Sequence, residues 1–193
     1  MRRKTFDQIV TFVGFGLAGL LLVAAGLLNW GATFATGAVG DQLAAQKITI
    51  PGNTGDPDAS KDVVDFFAAN GNKIMTTGKQ AQMYADHYIQ FHLNAMPTYA
   101  EASTASRVAS ARAAADPTNA DLKADSEKKN AIVESVFKGQ SLRGMLLNAY
   151  AFWQLGQIAS ISALAAFAGA LLMLLLSIAG LIHIRRTPED ATI

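Results

Sequence analysis

The chain has no cysteine. That excludes disulfides, a thiolate metal site and a cysteine nucleophile, so a folded part outside the cytosol must be held by packing, membrane or partners. Charge is also scarce. Only 16% of the 193 residues are Asp, Glu, Lys or Arg, against about 25% in an ordinary soluble domain. The shortfall is local: no such residue lies between Asp7 and Asp41, and none between Arg143 and His183. A net charge of +1 argues against a general nucleic-acid binder. No Gly-rich loop joins a strand pattern to a helix pattern, which leaves nucleotide binding without support. No Gly-x-Ser-x-Gly elbow occurs either.

What is present is two long apolar stretches. Ile9 to Leu28 is apolar or small throughout, and a second run extends from Trp153 towards Arg185 and Arg186. Each meets the roughly 20 residues needed to cross a bilayer. The first is longer than the roughly 7–15 apolar residues of a signal peptide, so it is expected as a retained anchor. Arg2, Arg3 and Lys4 precede the first run, and Arg185 and Arg186 follow the second. Positive charge stays on the cytoplasmic side, which puts both ends inside. Trp30 closes the first run while Tyr150, Phe152 and Trp153 open the second. These aromatics suit the outer membrane–water interface.

The expected architecture is an all-α membrane protein of the plasma membrane. Two transmembrane helices flank a mainly helical extracytoplasmic domain, and the second span continues a long helix from that domain. The expected segments are a cytoplasmic start at 1–7, a span at 8–30, the domain at 31–152, a span at 153–184 and a cytoplasmic tail at 185–193. Gly31, Gly37 and Gly40 predict an irregular linker over 31–57. Within it Lys47-Ile48-Thr49-Ile50 alternates polar and apolar like a short strand packed on the helices.

Helices follow. Asp58 or Ser60 can cap one that Gly71 stops, and Thr76 or Thr77 can cap one that runs to Pro97. Thr98 to Ala115 is Ala- and Ser-rich and compatible with helix. Asp116-Pro117-Thr118-Asn119 reads as a turn and a cap. Ala120 to Lys138 reads as a helix stopped by Gly139, with Ser141 capping the final one.

Candidate chemistry is thin. His87 and His92 are five apart, about 140° around an α-helix, so they do not share a face as a metal pair would. His183 lies far from both, at the opposite membrane edge. Asp86 beside His87 points away from it in a helix. Asp56, Asp58, Asp62 and Asp65 cluster near a helix start, where the dipole favours negative charge, and the run from Thr54 lacks the pattern of a calcium loop. No cofactor or metal is expected. Asp125 to Lys129 reads as a solvated helix face.

The spans say more. Gly14 and Ala18 are four apart, as are Ser162, Ala166 and Ala170, and also Ala165 and Gly169. Small residues at that spacing let helices approach closely. Gly14, Ala18, Ala166 and Ala170 are therefore the expected assembly residues. Trp30, Arg143, Asn148, Tyr150 and Trp153 are the expected interface anchors. Neither span has a charge in its middle, so the usual marker of an ion or proton relay is missing.

Tyr84-Ala-Asp-His87-Tyr-Ile-Gln-Phe-His92-Leu, with Gln46-Lys47-Ile48 before it and Gly139-Gln-Ser-Leu-Arg143-Gly-Met-Leu-Leu-Asn-Ala-Tyr-Ala-Phe152 after it, resembles a family of small two-span membrane proteins from actinobacteria. The resemblance covers nearly the whole chain except an Ala/Arg-rich stretch around 103–115. It implies a setting rather than a mechanism. Some members are labelled aromatic ring-opening dioxygenases, but that chemistry needs a His and carboxylate cluster with open positions, which this sequence does not offer.

The functional expectation is a non-catalytic structural or accessory protein of the bacterial cell envelope. Its expected partners are membrane lipid, further copies of itself and other envelope membrane proteins. The alternatives are a subunit of a larger membrane complex or a small homo-oligomeric pore with Gln154 and Gln157 facing its axis. An apolar constriction can gate such a pore without charges.

Overall fold

The structure of the chain is a computed structural model that describes residues 2–188. Among the described residues it is helical, with an isolated antiparallel bridge between Thr49 and Ile74 and no strand. The helices are α1 (Arg3–Gln46), α2 (Lys61–Asn70), α3 (Gly78–Met83), α4 (Gln90–Asn94), α5 (Tyr99–Ala115) and α6 (Ala120–Arg186). A π-turn, Tyr84–Ile89, joins α3 to α4. Residues 189–193 of the expected tail lie outside the described residues.

Two compact units divide the chain. One comprises Met1–Gly37 and Gln154–Ile193, the other Ala38–Trp153. The long helices α1 and α6 contribute to both.

In the first unit α1 and α6 run antiparallel. Gly180 backs onto Thr11, Gly14 onto Ser177, Gly169 onto Leu21, and Gly156 onto Ala32 and Thr36. Such a regular register needs small side chains on both helices. Thr11, Gly14, Ala18, Ala25 and Ala32 are buried on α1; Gly156, Ala163, Ala170 and Ser177 are buried on α6. Apart from Gly14, the buried set on each helix recurs every seven residues, the period of left-handed coiled packing. The opposite faces are apolar and uncovered: Phe12, Leu20, Leu27, Ile161 and Leu164 are each at least 65% exposed. The core helix of a soluble protein would bury such residues. These are two helices long and apolar enough to cross a membrane.

The second unit has its own core. Phe67, Leu43, Ile50, Met75 and Leu146 are almost fully buried there. Sequence expectation fails first at the linker. Residues 31–46 are not irregular: α1 passes through Gly31, Gly37 and Gly40 without a break. Val39 and Leu43 on its last turns enter the core, and that burial outweighs the cost of about 1 kcal/mol per helical glycine. Gly40 is needed for space, since a Cβ there would sit 3.2 Å from the Thr76 carbonyl oxygen.

The alternating run does not form a strand of a sheet. It meets the segment after α2: Ile50 N donates to Lys73 O at 3.0 Å, Asn72 N to Ile50 O at 2.9 Å and Met75 N to Ile48 O at 2.8 Å. Its alternation is real, because Ile50 is buried while Thr49 is exposed. Gly71 ends α2 as expected, but not through a left-handed φ. A Cβ there would lie 2.8 Å from Gly52 Cα, and the left-handed residue is Asn72 with φ 59°.

Caps follow the sequence more closely. Thr77 and Gln80 form a capping box at α3, and Thr98 and Glu101 form one at α5. The Thr98 bonds hold the Glu101 carboxyl below its ordinary range. Asn119 Oδ1 accepts from Asp121 N and Leu122 N at the start of α6. Ser60 occupies the cap position of α2 but makes no side-chain cap bond.

The other miss is Gly139. It does not stop a helix, because α6 is continuous for 67 residues, and Ser141 caps nothing. A Cβ at Gly139 would meet Leu93 at 2.8 Å. The glycine is there to let Leu93 pack, and one helical glycine does not break a helix this well anchored.

Gly78 opens α3 against Trp153, where a Cβ would sit 2.3 Å from the Trp153 Cβ. Gly78→Ala should therefore lower stability by about 1–3 kcal/mol through overpacking, although Ala is the better helix former by about 1 kcal/mol. Thermal unfolding in detergent checks the sign. A melting temperature at or above wild type would mean that Trp153 yields easily.

Candidate functional site

The polar side chains that offer chemistry gather at the π-turn of the second unit. Ala81, Ala85, Ile89 and Leu93 are buried at four-residue intervals. In a plain α-helix that spacing drifts by about 40° per step. A turn bonded i→i+5 absorbs an extra residue and slows the drift; here Gln90 N donates to Ala85 O. The four apolar residues thereby stay in the core.

The same turn carries Asp86 to α6. Arg143 Nη2 donates to Asp86 Oδ1 at 3.0 Å, with side chains 28% and 31% exposed. The Arg143 Nε is cut off from solvent with no hydrogen-bond partner among the described residues. The guanidinium is therefore held mainly by one carboxylate, in a half-buried setting where charge-assisted bonds are stronger than at a free surface.

The rings beside this pair stack along the turn. Tyr84 and Tyr88 have centroids 5.0 Å apart, and Tyr88 and His92 4.5 Å. Burial, with Tyr88 close by, raises the Tyr84 phenol above its ordinary 10.0. His92 Nδ1 lies 2.7 Å from the Tyr88 carbonyl oxygen and donates to it in the tautomer protonated there. His87 is half-buried and His92 exposed. Among the described residues no three His, Asp or Glu side chains come close enough to hold a metal ion.

The acidic cluster is mostly loop-forming. Asp56 Oδ1 accepts from Asp58 N at 2.9 Å, and buried Thr54 Oγ1 accepts from Asp56 N at 3.1 Å. Asp62 stands in the first turn of α2, and Asp65 pairs with exposed Lys61. Ser106 and Ser110 of α5 bond Asn130 and Ser126 of α6. These small polar residues let two helices pack closely, which accounts for the Ala/Ser-rich stretch. An open hollow of about 340 Å³ lies between Met96, Pro97, Lys128 and Ile132.

The remaining predicted residues fall in several places. Gly14, Ala18 and Ala170 are buried in the α1–α6 seam, and Ala166 is half-buried at its edge. Trp30 is exposed and stacks on Phe34. Tyr150 and Trp153 are half-buried and stack with centroids 6.3 Å apart. Asn148 and Gln154 are exposed, and Gln157 is half-buried.

Four-residue spacing missed Thr11, Ala25, Ala32, Gly156, Ala163 and Ser177, which complete the seam. The signal that finds them is seven-residue recurrence. The Asp86–Arg143 contact had no sequence signal, because the two lie 57 positions apart. No family model, curated protein or solved structure matches the chain.

Removing Asp86 leaves a half-buried guanidinium without its partner, so Asp86→Ala should cost about 1–3 kcal/mol. Asp86→Ala with Arg143→Met should recover part of that loss. A denaturation cycle of the wild type, both singles and the double checks it. Strict additivity of the singles would mean that the pair does not interact.

Proposed function

We propose that the chain is an integral membrane protein that acts as a structural or accessory component of the bacterial cell envelope. Both ends are cytoplasmic, and the helical unit of residues 38–153 lies on the outer side. The observation that carries this reading is the pair of apolar helices joined by a small-residue seam. Their large side chains turn outward, as lipid-facing residues do. The orientation is supported by Arg2, Arg3, Lys4, Arg185 and Arg186 at one end of that pair and by Trp30 and Trp153 towards the other.

A non-catalytic role is supported by how the candidate chemistry is used. Asp86 and Arg143 bond each other, His92 bonds its own helix, and Asp56 and Thr54 shape a loop. Each of these bonds is structural.

Self-association belongs to the same proposal, with one change of surface. Gly14, Ala18 and Ala170 pack inside the chain, so a second copy would use an outward face, for which that of α1 is the best suited. There Gly16, Gly19 and Gly26 have open space where a Cβ would stand.

The absence of cysteine makes the reading directly testable, because any introduced thiol is the only one. Asp58→Cys should react with a membrane-impermeant maleimide on intact cells, and Thr5→Cys only after permeabilisation. The reverse pattern overturns the orientation. Extraction of the protein by alkaline carbonate overturns the membrane reading itself.

Gly19→Cys in native membranes should give a disulfide-linked dimer, whereas Ala18→Cys, inside the seam, should not. A monomer by native mass spectrometry, with no crosslink at Gly16, Gly19 or Gly26, removes self-association and leaves the accessory role.

A further inference from the structure

The antiparallel seam has an effect at its open end that neither helix has alone. Gly180 against Thr11 fixes the register there. One turn further out, His183 Nε2 lies 3.7 Å from Asp7 Oδ2. The start of α1 and the end of α6 are therefore neighbours. Arg2 and Arg3 come from one, Arg185 and Arg186 from the other, and all four are exposed. None makes an ion pair with a described residue, while Asp7, the acidic group among the described residues of this end, faces His183.

We propose that this end of the helix pair is a binding collar for anionic phospholipid headgroups. The occupant follows from two chemistries placed one turn apart. The guanidinium fork matches phosphate oxygens in bidentate geometry. Directly beneath it, Phe6, Ile9 and Ile182 are 45%, 53% and 49% exposed, an apolar surface on which acyl chains can lie. A free phosphate would use the first and leave the second bare. Cations are also favoured at a helix C-terminus by the dipole, which accounts for Arg185 and Arg186 but not for Arg2 and Arg3 at the opposite pole of α1. Charge at the start of α1 works against that helix's own dipole, and an anionic headgroup removes the conflict. Glu189 and Asp190 follow in the sequence and lie outside the described residues.

The inference rests on the membrane reading but not on the cellular orientation or on self-association. The test uses full-length protein purified in mild detergent, with phosphatidylglycerol or phosphatidylcholine added at equal concentration and retained lipid counted by native mass spectrometry. Arg185→Gln with Arg186→Gln removes half of the collar and leaves Arg2, Arg3 and Lys4 to guide insertion. Arg185→Lys with Arg186→Lys keeps the charge and loses the fork.

Wild type should retain phosphatidylglycerol in preference to phosphatidylcholine. The Gln pair should lower that preference at least about fivefold, since a basic residue at an anionic surface contributes about 1 kcal/mol. The Lys pair should fall between the two, and added salt should weaken all three. Equal retention of both lipids by wild type, or an unchanged preference in the Gln pair, overturns the proposal. So does full competition by millimolar inorganic phosphate, which would make the ligand a free anion. Resistance of every variant to alkaline carbonate shows separately that the membrane reading stands. If wild type itself is extracted, that reading has failed first.

Discussion

The seam between α1 and α6 is the contact on which the first unit depends. In the membrane setting proposed for them, lipid tails are as apolar as leucine, so two helices gain little by covering apolar surface. What holds them is close approach: dispersion contacts between backbones that no large side chain keeps apart. Thr11, Gly14, Ala18, Ala25 and Ala32 on one helix face Gly156, Ala163, Ala170 and Ser177 on the other. One large residue in this series would separate the helices over a full turn. The large residues are instead confined to the outward faces.

The second unit is built on the opposite rule. Its core is made of Phe67, Leu43, Ile50, Met75 and Leu146, and water drives their burial. The geometry of this core explains its irregular features. The π-turn keeps Ala81, Ala85, Ile89 and Leu93 on one face and sets Asp86 opposite Arg143. Gly78 and Gly139 make room for Trp153 and Leu93. The left-handed Lys47 and Asn72 bracket the short pairing of Ile48 and Ile50 with Lys73 and Met75. In each case a local cost is accepted so that an apolar side chain can reach the core.

The bonds of this unit also bear on its chemistry. A carboxylate and a guanidinium that face each other at 3.0 Å, and a histidine bonded to the carbonyl four residues earlier, are groups already committed. They position elements, and they do so without a cysteine anywhere in the chain to lock them. The accessory role proposed for the protein is consistent with polar groups spent on holding its own fold.

Local chemistry alone determined a large part of this protein. The lack of charge over two long runs announced two membrane-length helices, because an uncharged run of that length has few other stable settings. Thr77 and Asn119 announced helix starts, because a cap bond involves only residues within one turn. The alternation at Ile48 and Ile50 announced which side chains go inward. Only the tertiary structure decided the rest. Gly31, Gly37, Gly40 and Gly139 read as breaks, yet the helices run through them, since the packing of Leu43 and Leu93 outweighs a glycine's small local cost. The seam's seven-residue period, the π-turn and the Asp86–Arg143 bond all depend on what lies across from each residue. That partner is set by three-dimensional contact between positions far apart in the chain, and no short window of sequence contains it.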